Sequence, residues 1–197
     1  MKADLVIASR NEKKKRELLQ VIGDLDLEVA TLNEFPQAPE VEEDGMTFRE
    51  NAVKKAREIA DFTGRMTLAD DSGLEVDALG GLPGVHSARF AGEPSNDERN
   101  NQKLLEMLEG VPAQERTARF RCVIAIAFPD GRVETAEDTC EGRIGFTPRG
   151  QAGFGYDPLF IPDGYDLTFA ELSPEVKNRI SHRGKALQKA KKLLQSI

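Results

Sequence analysis

The chain opens on a short apolar run, Asp4-Leu5-Val6-Ile7-Ala8-Ser9, that reads as a β-strand. After a bend at Arg10-Asn11, Leu18, Leu19 and Ile22 recur on one helical face, and Gly23 is the stop. Leu27 to Thr31 is a second strand, so the opening is strand–helix–strand, the unit of α/β folds. A polar, acid-rich loop follows from Pro36 to Asp44. Thr47-Phe48-Arg49-Glu50 is a capping box opening a helix that carries Phe48, Ala52, Ala56, Ile59 and Ala60 and reaches about Phe62. Met66 to Ala69 reads as a strand that ends abruptly at Asp70-Asp71-Ser72-Gly73. Leu79 to Gly92, dense in Gly with one Pro, is a shaped loop and not a regular element. A second capping box, Ser95 to Glu98, starts a helix with Leu104, Leu105 and Leu108 that ends at Gly110. Thr117 to Phe128 is a long strand whose continuous apolar half suits a central position. It turns at Pro129-Asp130-Gly131 into a hairpin strand from Arg132 to Asp138, and Gly142 to Phe146 extends the sheet. Pro148 to Pro162 is rich in Gly and aromatics; Ser173-Pro174 starts a short helix; a last helix from about Arg183 presents Ala186, Leu187, Ala190, Leu193 and Leu194. No repeat, low-complexity tract or linker divides the chain, and a single domain over residues 1–197 is expected.

Composition narrows the function classes. With 39% apolar and 31% charged residues over 197 positions, the chain is an ordinary globular protein able to bury a sizeable core. No apolar run approaches a membrane span, and the N-terminus lacks the long apolar region of a signal peptide. Cys122 and Cys140 offer neither a disulfide framework nor metal spacing, and Cys122 sits in an apolar run that buries it. A reducing, cytoplasmic setting is expected. The formal charge of −7 argues against non-specific nucleic-acid binding. It leaves a small anionic substrate open, because the cations cluster at Lys13 to Arg16, at Arg116, Arg119 and Arg121, and from Lys177 to Lys192.

Five constellations carry chemistry. Two adjacent carboxylates, Asp70 and Asp71, repel each other, and a divalent cation is the simplest compensator. An acidic turn capped by Asp and Ser accounts for the same residues without a metal. At the first strand–helix junction, Ser9-Arg10-Asn11-Glu12-Lys13-Lys14 places cations in a first turn whose dipole prefers anions. An anionic ligand on the helix amides offsets that conflict; a solvated basic face is the plain alternative. The acids Glu42, Glu43 and Asp44 precede a helix bearing Asn51, Lys54 and Lys55, the residue types of a metal–phosphate site and also of a solvent-facing loop. Gly153-Phe154-Gly155-Tyr156-Asp157-Pro158 suits a flat ring stacked on an aromatic, with a carboxylate for ring N–H groups, or a packed turn. Lys177 with Ser181-His182-Arg183-Gly184 is a donor set for a ring carbonyl or a phosphate. No Ser-His-Asp order, GxSxG elbow or Asp-x-Asp strand end is present.

In this order, the segments resemble the inosine triphosphate pyrophosphatases, or Ham1-like proteins. The resemblance rests on Ser9-x-Asn11-x-x-Lys14, Glu43-x-Gly45-x-Thr47-Phe48-x-Glu50-Asn51-Ala52 and Ala69-Asp70-Asp71-Ser72-Gly73-Leu74. It continues through Leu79-Gly80-Gly81-x-Pro83-Gly84-Val85-x-Ser87-Ala88-Arg89, Gly153 to Pro158 and Ser181 to Gly184. Arg10 to Lys13 depart from the family pattern, which has Gly at one or two of those positions. The resemblance implies an α/β fold with a long, mixed, twisted sheet flanked by helices, in two lobes with the nucleotide in the cleft between them, and a homodimer. It implies Mg²⁺-dependent hydrolysis of ITP, dITP and XTP to monophosphate and pyrophosphate, clearing deaminated purines from the nucleotide pool. By the same resemblance Asp71 is the proton acceptor and a metal ligand, with Glu43 or Glu42 as a second metal contact. The phosphate loop from Ser9 through Arg10, Asn11, Glu12 and Lys13 to Lys14, together with Lys55, meets the phosphates, and Ser72 is a substrate contact. Phe154 stacks on the purine within a loop that includes Gly155 and Tyr156, while Asp157, Lys177, His182 and Arg183 read its edge.

Two other readings compete. A nucleotide-binding sensor with little or no hydrolysis needs the binding residues but no base. A phosphatase releasing inorganic phosphate lacks its nucleophile motif in this sequence.

Overall fold

In the computed structural model, which describes residues 3–196, the opening pattern folds as its periodicity predicts. β1 (Ala3–Ile7) leads into α1 (Glu12–Ile22), which presents Leu18 and Ile22 to the core, and then into β2 (Leu27–Thr31). The Asn11 side chain caps α1 by accepting from the N–H groups of Lys13 and Lys14, and so satisfies two of the free amides of the first turn. α2 (Phe48–Thr63) is capped by the Thr47 hydroxyl, which accepts from Glu50 N–H, and stops at Gly64 in the left-handed conformation.

β3 (Met66–Val76) differs from expectation. It does not end at the two carboxylates but continues through them for 11 residues in all. The reason is packing: Leu74 and Val76, beyond the acids, are fully buried in a second apolar cluster. Asp70 and Asp71 are thus mid-strand, on a rigid element. The remaining elements are α3 (Asp97–Met107), β4 (Thr117–Ala127), β5 (Val133–Ile144), β6 (Phe160–Pro162), α4 (Pro174–Ile180) and α5 (His182–Gln195). The cap of α3 is Asn96, one residue after the expected Ser95. The Gly-rich stretch contains a short 3₁₀ helix, Gly84–Arg89.

One six-stranded sheet runs in the order β2-β1-β3-β4-β5-β6. β1 pairs in parallel with β2 and with β3, while β6 pairs antiparallel with β5, so the sheet is mixed and the class is α/β, as expected. The chain divides into two compact units. Unit one comprises residues 1–71, 122–138 and 183–197, and unit two residues 72–121 and 139–182. The core of unit one gathers Leu5, Ile7, Leu18, Leu68, Ile124 and, from α5, Ala186, Leu187, Ala190 and Leu194. That of unit two gathers Leu74, Phe90, Leu104, Phe120, Phe160 and Phe169. Cys122 and Cys140 are buried and are not joined in a disulfide. No helix among the described residues is long and apolar enough to cross a membrane.

Candidate active site

Unit one assembles the charged residues. Asp70 is 2% exposed and accepts from two cations: Lys14 Nζ lies 3.1 Å and Arg183 Nε 3.4 Å from its Oδ2. Burial by itself raises a carboxyl pKa, but the charges of Lys14, Arg183 and Lys55 outweigh it and hold Asp70 well below the ordinary carboxylate value. Arg183, from the first turn of α5 and also buried, donates from Nη1 to Glu17 Oε2 at 2.7 Å. The four side chains form one relay, Glu17, Arg183, Asp70, Lys14, in which Arg183 and Asp70 are buried and Glu17 and Lys14 are partly exposed.

Asp71, the next residue, has the opposite electrostatics. Burial, and then the charge of Glu43, push its pKa up to about 6, although the Asn51 amide donates to Asp71 Oδ2 at 3.0 Å and lysines lie near. Asn51 is fully buried, and its own Oδ1 accepts from Gly45 N–H at 2.7 Å, which fixes the amide toward Asp71. Lys55 bonds Glu43 and donates to the Asp70 carbonyl at 3.0 Å. Neighbouring carboxylates thus take different states, one firmly ionised and the other poised for proton transfer.

The acidic loop and phosphate-loop residues sort as follows. Glu42 is exposed, and its charge acts on Lys54, away from the pair formed by Asp71 and Glu43. The Ser9 hydroxyl accepts from Asn11 N–H at 3.2 Å, and Arg10 donates to the Ala38 carbonyl at 3.1 Å. Glu12 is occupied by Lys15 at 2.6 Å and Asn33 at 3.2 Å, and Lys13 is exposed. Among the described residues no group of three or more His, Cys, Asp or Glu converges for a metal. Asp71 and Glu43 are the acids that can hold one.

Unit two assembles the aromatic loop. The Asp157 carboxylate accepts from Phe154 N–H at 3.0 Å and from Lys177 Nζ at 2.7 Å, both on Oδ2. Lys177 also lies 5.1 Å from the Phe154 ring centroid. The Tyr156 hydroxyl donates to the Ser87 carbonyl at 2.7 Å. His182 is buried and stacks on Phe120 with centroids 4.7 Å apart. Ser72, partly exposed on β3, begins this unit. Gly153 is required here: its φ is +79°, and an added Cβ would lie 2.0 Å from Asp157 Oδ2. Gly153→Ala is expected to cost about 1–3 kcal/mol in backbone strain and to dislodge Asp157, read as a lowered melting temperature.

The Ham1 family profile matches residues 5–193 of this chain. The chain belongs to the Ham1 family. A relative from Desulforamulus reducens named dITP/XTP pyrophosphatase is 59% identical, over 98% of this chain and 96% of that protein. One of the same name from Geobacillus kaustophilus is 53% identical, over 94% of this chain and 91% of that protein. A solved Ham1 protein from Coxiella burnetii superimposes with a TM-score of 0.92 at 42% identity, covering 99% of this chain and 100% of that one.

Within this Ham1 chain, the structure places Lys14, Lys55, Glu43, Asp71 and Arg183 together in unit one, and Phe154, Gly155, Tyr156, Asp157 and Lys177 together in unit two. Arg183, expected at the edge of a purine, has its Nε and Nη1 committed to Asp70 and Glu17. The cluster Arg116, Arg119 and Arg121 is not an anion site in waiting. Arg119 pairs with Asp77 and Glu141, Arg121 pairs with Glu75, and Arg116 donates to the carbonyls of Leu108 and Val111 just past the end of α3 and to that of Gly145 just past β5. Glu17 is the site residue that sequence reasoning passed over; Asn51 was named with Lys54 and Lys55, but its hydrogen bond to Asp71 was not read. Asn51 leaves a signal, a polar residue on the helical face otherwise made of Phe48, Ala52, Ala56 and Ile59; Glu17 leaves none.

Proposed function

We propose that this chain hydrolyses the deaminated purine nucleoside triphosphates ITP, dITP and XTP to the monophosphate and pyrophosphate, using Mg²⁺, as a cytoplasmic homodimer. The observation that carries the proposal is Asp71, a buried carboxylate raised to about 6 by burial and by Glu43, with Lys14 and Lys55 in the same unit. The dITP/XTP pyrophosphatase name of the relatives supports the substrate class.

The donor set fits a divalent cation. Proteins supply one or two carboxylates to Mg²⁺ when phosphate oxygens and water complete the shell, and two are present here. Asp71 and Glu43 would hold it. When bound, it supplies positive charge to the triphosphate oxygens. Asp71 takes a proton from the attacking water, whose oxygen bonds to the α-phosphorus as the bond from that phosphorus to the bridging oxygen breaks. Pyrophosphate leaves with the electron pair of that bond. Lys14, Lys55 and the amides at the start of α1 balance the negative charge. Glu17, Arg183 and Asp70 fix Lys14 in place. In unit two Phe154 stacks on the purine, and Lys177 and His182 offer donors to the 6-oxo group. The 6-amino group of ATP would leave such donors unpaired, which is the costly kind of mismatch.

A sensor has no use for a poised base, which disfavours that alternative. Incubation with ITP and Mg²⁺ decides: IMP and pyrophosphate are the expected products. IDP with phosphate, or tight binding without turnover, overturns the proposal. Chelation of the metal is expected to stop turnover, and added Mg²⁺ to restore it.

A further inference from the structure

The first turns of α3 grip the aromatic loop in a way the chemistry above does not use. Asp97 Oδ2 accepts from Gly155 N–H at 2.7 Å, and Asn101 Nδ2 donates to the Gly155 carbonyl at 2.8 Å. Asp97 and Asn101 are one helical turn apart on one face, so both backbone polar groups of a single glycine are held from the same helix. Asn101 Nδ2 also donates to the Asp97 carbonyl at 2.8 Å. Two carbonyls therefore dictate the amide's orientation, since rotating it would aim Oδ1 at both.

That orientation has a cost. Asn101 is 8% exposed, and its Oδ1 has no hydrogen-bond partner among the described residues. A buried acceptor left unmade is unfavourable, and such groups in native structures call for a reason. The same helix holds a second loop. Asn100, also buried, accepts from Ala91 N–H at 2.7 Å and donates to the Ala88 carbonyl at 3.0 Å, and Lys103 Nζ donates to the Phe90 carbonyl at 2.6 Å. Ser87, in that loop, accepts from Tyr156 on its carbonyl and from Leu74 N–H on its hydroxyl at 2.9 Å. α3 is thus a splint between the Gly84–Arg89 segment and the loop carrying Phe154.

Gly155 has φ +60°, and an added Cβ there would meet nothing within 4 Å. Packing does not define its conformation; its hydrogen bonds do. A glycine released from them gains the freedom of both halves of backbone space, and the ring one residue before it moves with the loop.

We propose that Asp97 and Asn101 are positioning residues that set the attitude of Phe154, and through it both purine affinity and the choice between 6-oxo and 6-amino purines. The proposal rests on unit two being the base-recognition side of the enzyme. A clamp of this kind acts on binding and leaves the bond-breaking step alone. Asn101→Ala and Asp97→Ala are therefore expected to raise KM for ITP about tenfold and to narrow the ITP-over-ATP ratio of kcat/KM, with kcat within about twofold. Asp97→Asn retains an acceptor for Gly155 N–H and is expected to restore the wild-type KM.

Each variant is assayed for ITP and ATP kinetics, for IMP binding by calorimetry and for its melting temperature. Wild-type KM and discrimination in both alanine variants overturn the clamp, whatever their melting temperatures. Asp97 is exposed, so Asp97→Ala decides the matter if Asn101→Ala does not fold. If the wild-type protein turns over no ITP, the functional proposal fails by itself, and IMP calorimetry still tests the clamp: unchanged affinity in Asp97→Ala overturns it.

Discussion

Asp71→Asn is expected to lower kcat/KM for ITP by about a thousandfold, within the range a general base contributes, while the protein stays folded. The substitution keeps the volume of the side chain and can still offer an oxygen to the Asn51 amide, 3.0 Å away in the parent. It removes only the charge. The folded-state pKa, about 6 against an ordinary 3.8, means that the native state resists ionisation of this group. Between those two values the folded protein binds the proton more tightly than the unfolded chain does. Stability from this site therefore rises as pH falls through that window, and at neutral pH the ionised carboxylate is a burden. The variant should accordingly melt no lower than the parent at neutral pH, and the difference should shrink on acidification toward the ordinary carboxylate value. An active Asp71→Asn enzyme, within tenfold of the parent, would remove the base assignment.

The neighbouring substitution has the reverse signature. Asp70→Asn is expected to destabilise the fold by about 3–5 kcal/mol, the usual consequence of removing one partner from a buried ionic cluster. Lys14 lies 3.1 Å from the lost charge, and buried Arg183 would lose its contact with Asp70 while keeping Glu17. Because the Asp70 pKa is depressed, its stabilisation is complete above the ordinary carboxylate value of 3.8 and is lost only as pH falls below it. Denaturant titrations of parent and variant should differ by a constant amount at mildly acidic to mildly alkaline pH and converge in strong acid. A difference under about 1 kcal/mol at neutral pH would mean that Lys14 and Arg183 find other partners.

The extent to which the sequence discloses this architecture depends on how local each cause is. β1, α1 and β2 follow from short-range periodicity and capping, and their ends agree with the sequence reading to within two residues. The carboxylate strand was legible only up to Ala69, because acids are poor strand residues and Ser72-Gly73 resembles a turn. What carries β3 onward is burial of Leu74 and Val76 against residues far along the chain. The pairing of Asp71 with Asn51 was within reach, since Asn51 interrupts an apolar helical face. The role of Asp70 was not: it is set by Arg183, 113 positions away. Nor did the spacing disclose that Asp97 and Asn101 hold Gly155, up to 58 positions away. The paired Asn100 and Asn101, poor helix formers mid-helix, were the trace left in the sequence.

The path of the chain through its two units has a consequence for how the protein is made. It passes from one unit to the other four times, at residues 71, 121, 138 and 182. The apolar cluster of unit one lacks Ala186, Leu187, Ala190 and Leu194 until α5 has been synthesised. Translation therefore delivers every segment of unit two before unit one can close. The unit holding Asp70 and Asp71 is begun first and completed last. During that interval its nascent strands, the Asp70–Asp71 segment included, must be kept from pairing with other chains. A stop codon just before α5 would spare Asp71, Lys14 and the Phe154 loop, yet leave unit one without the helix that seals it.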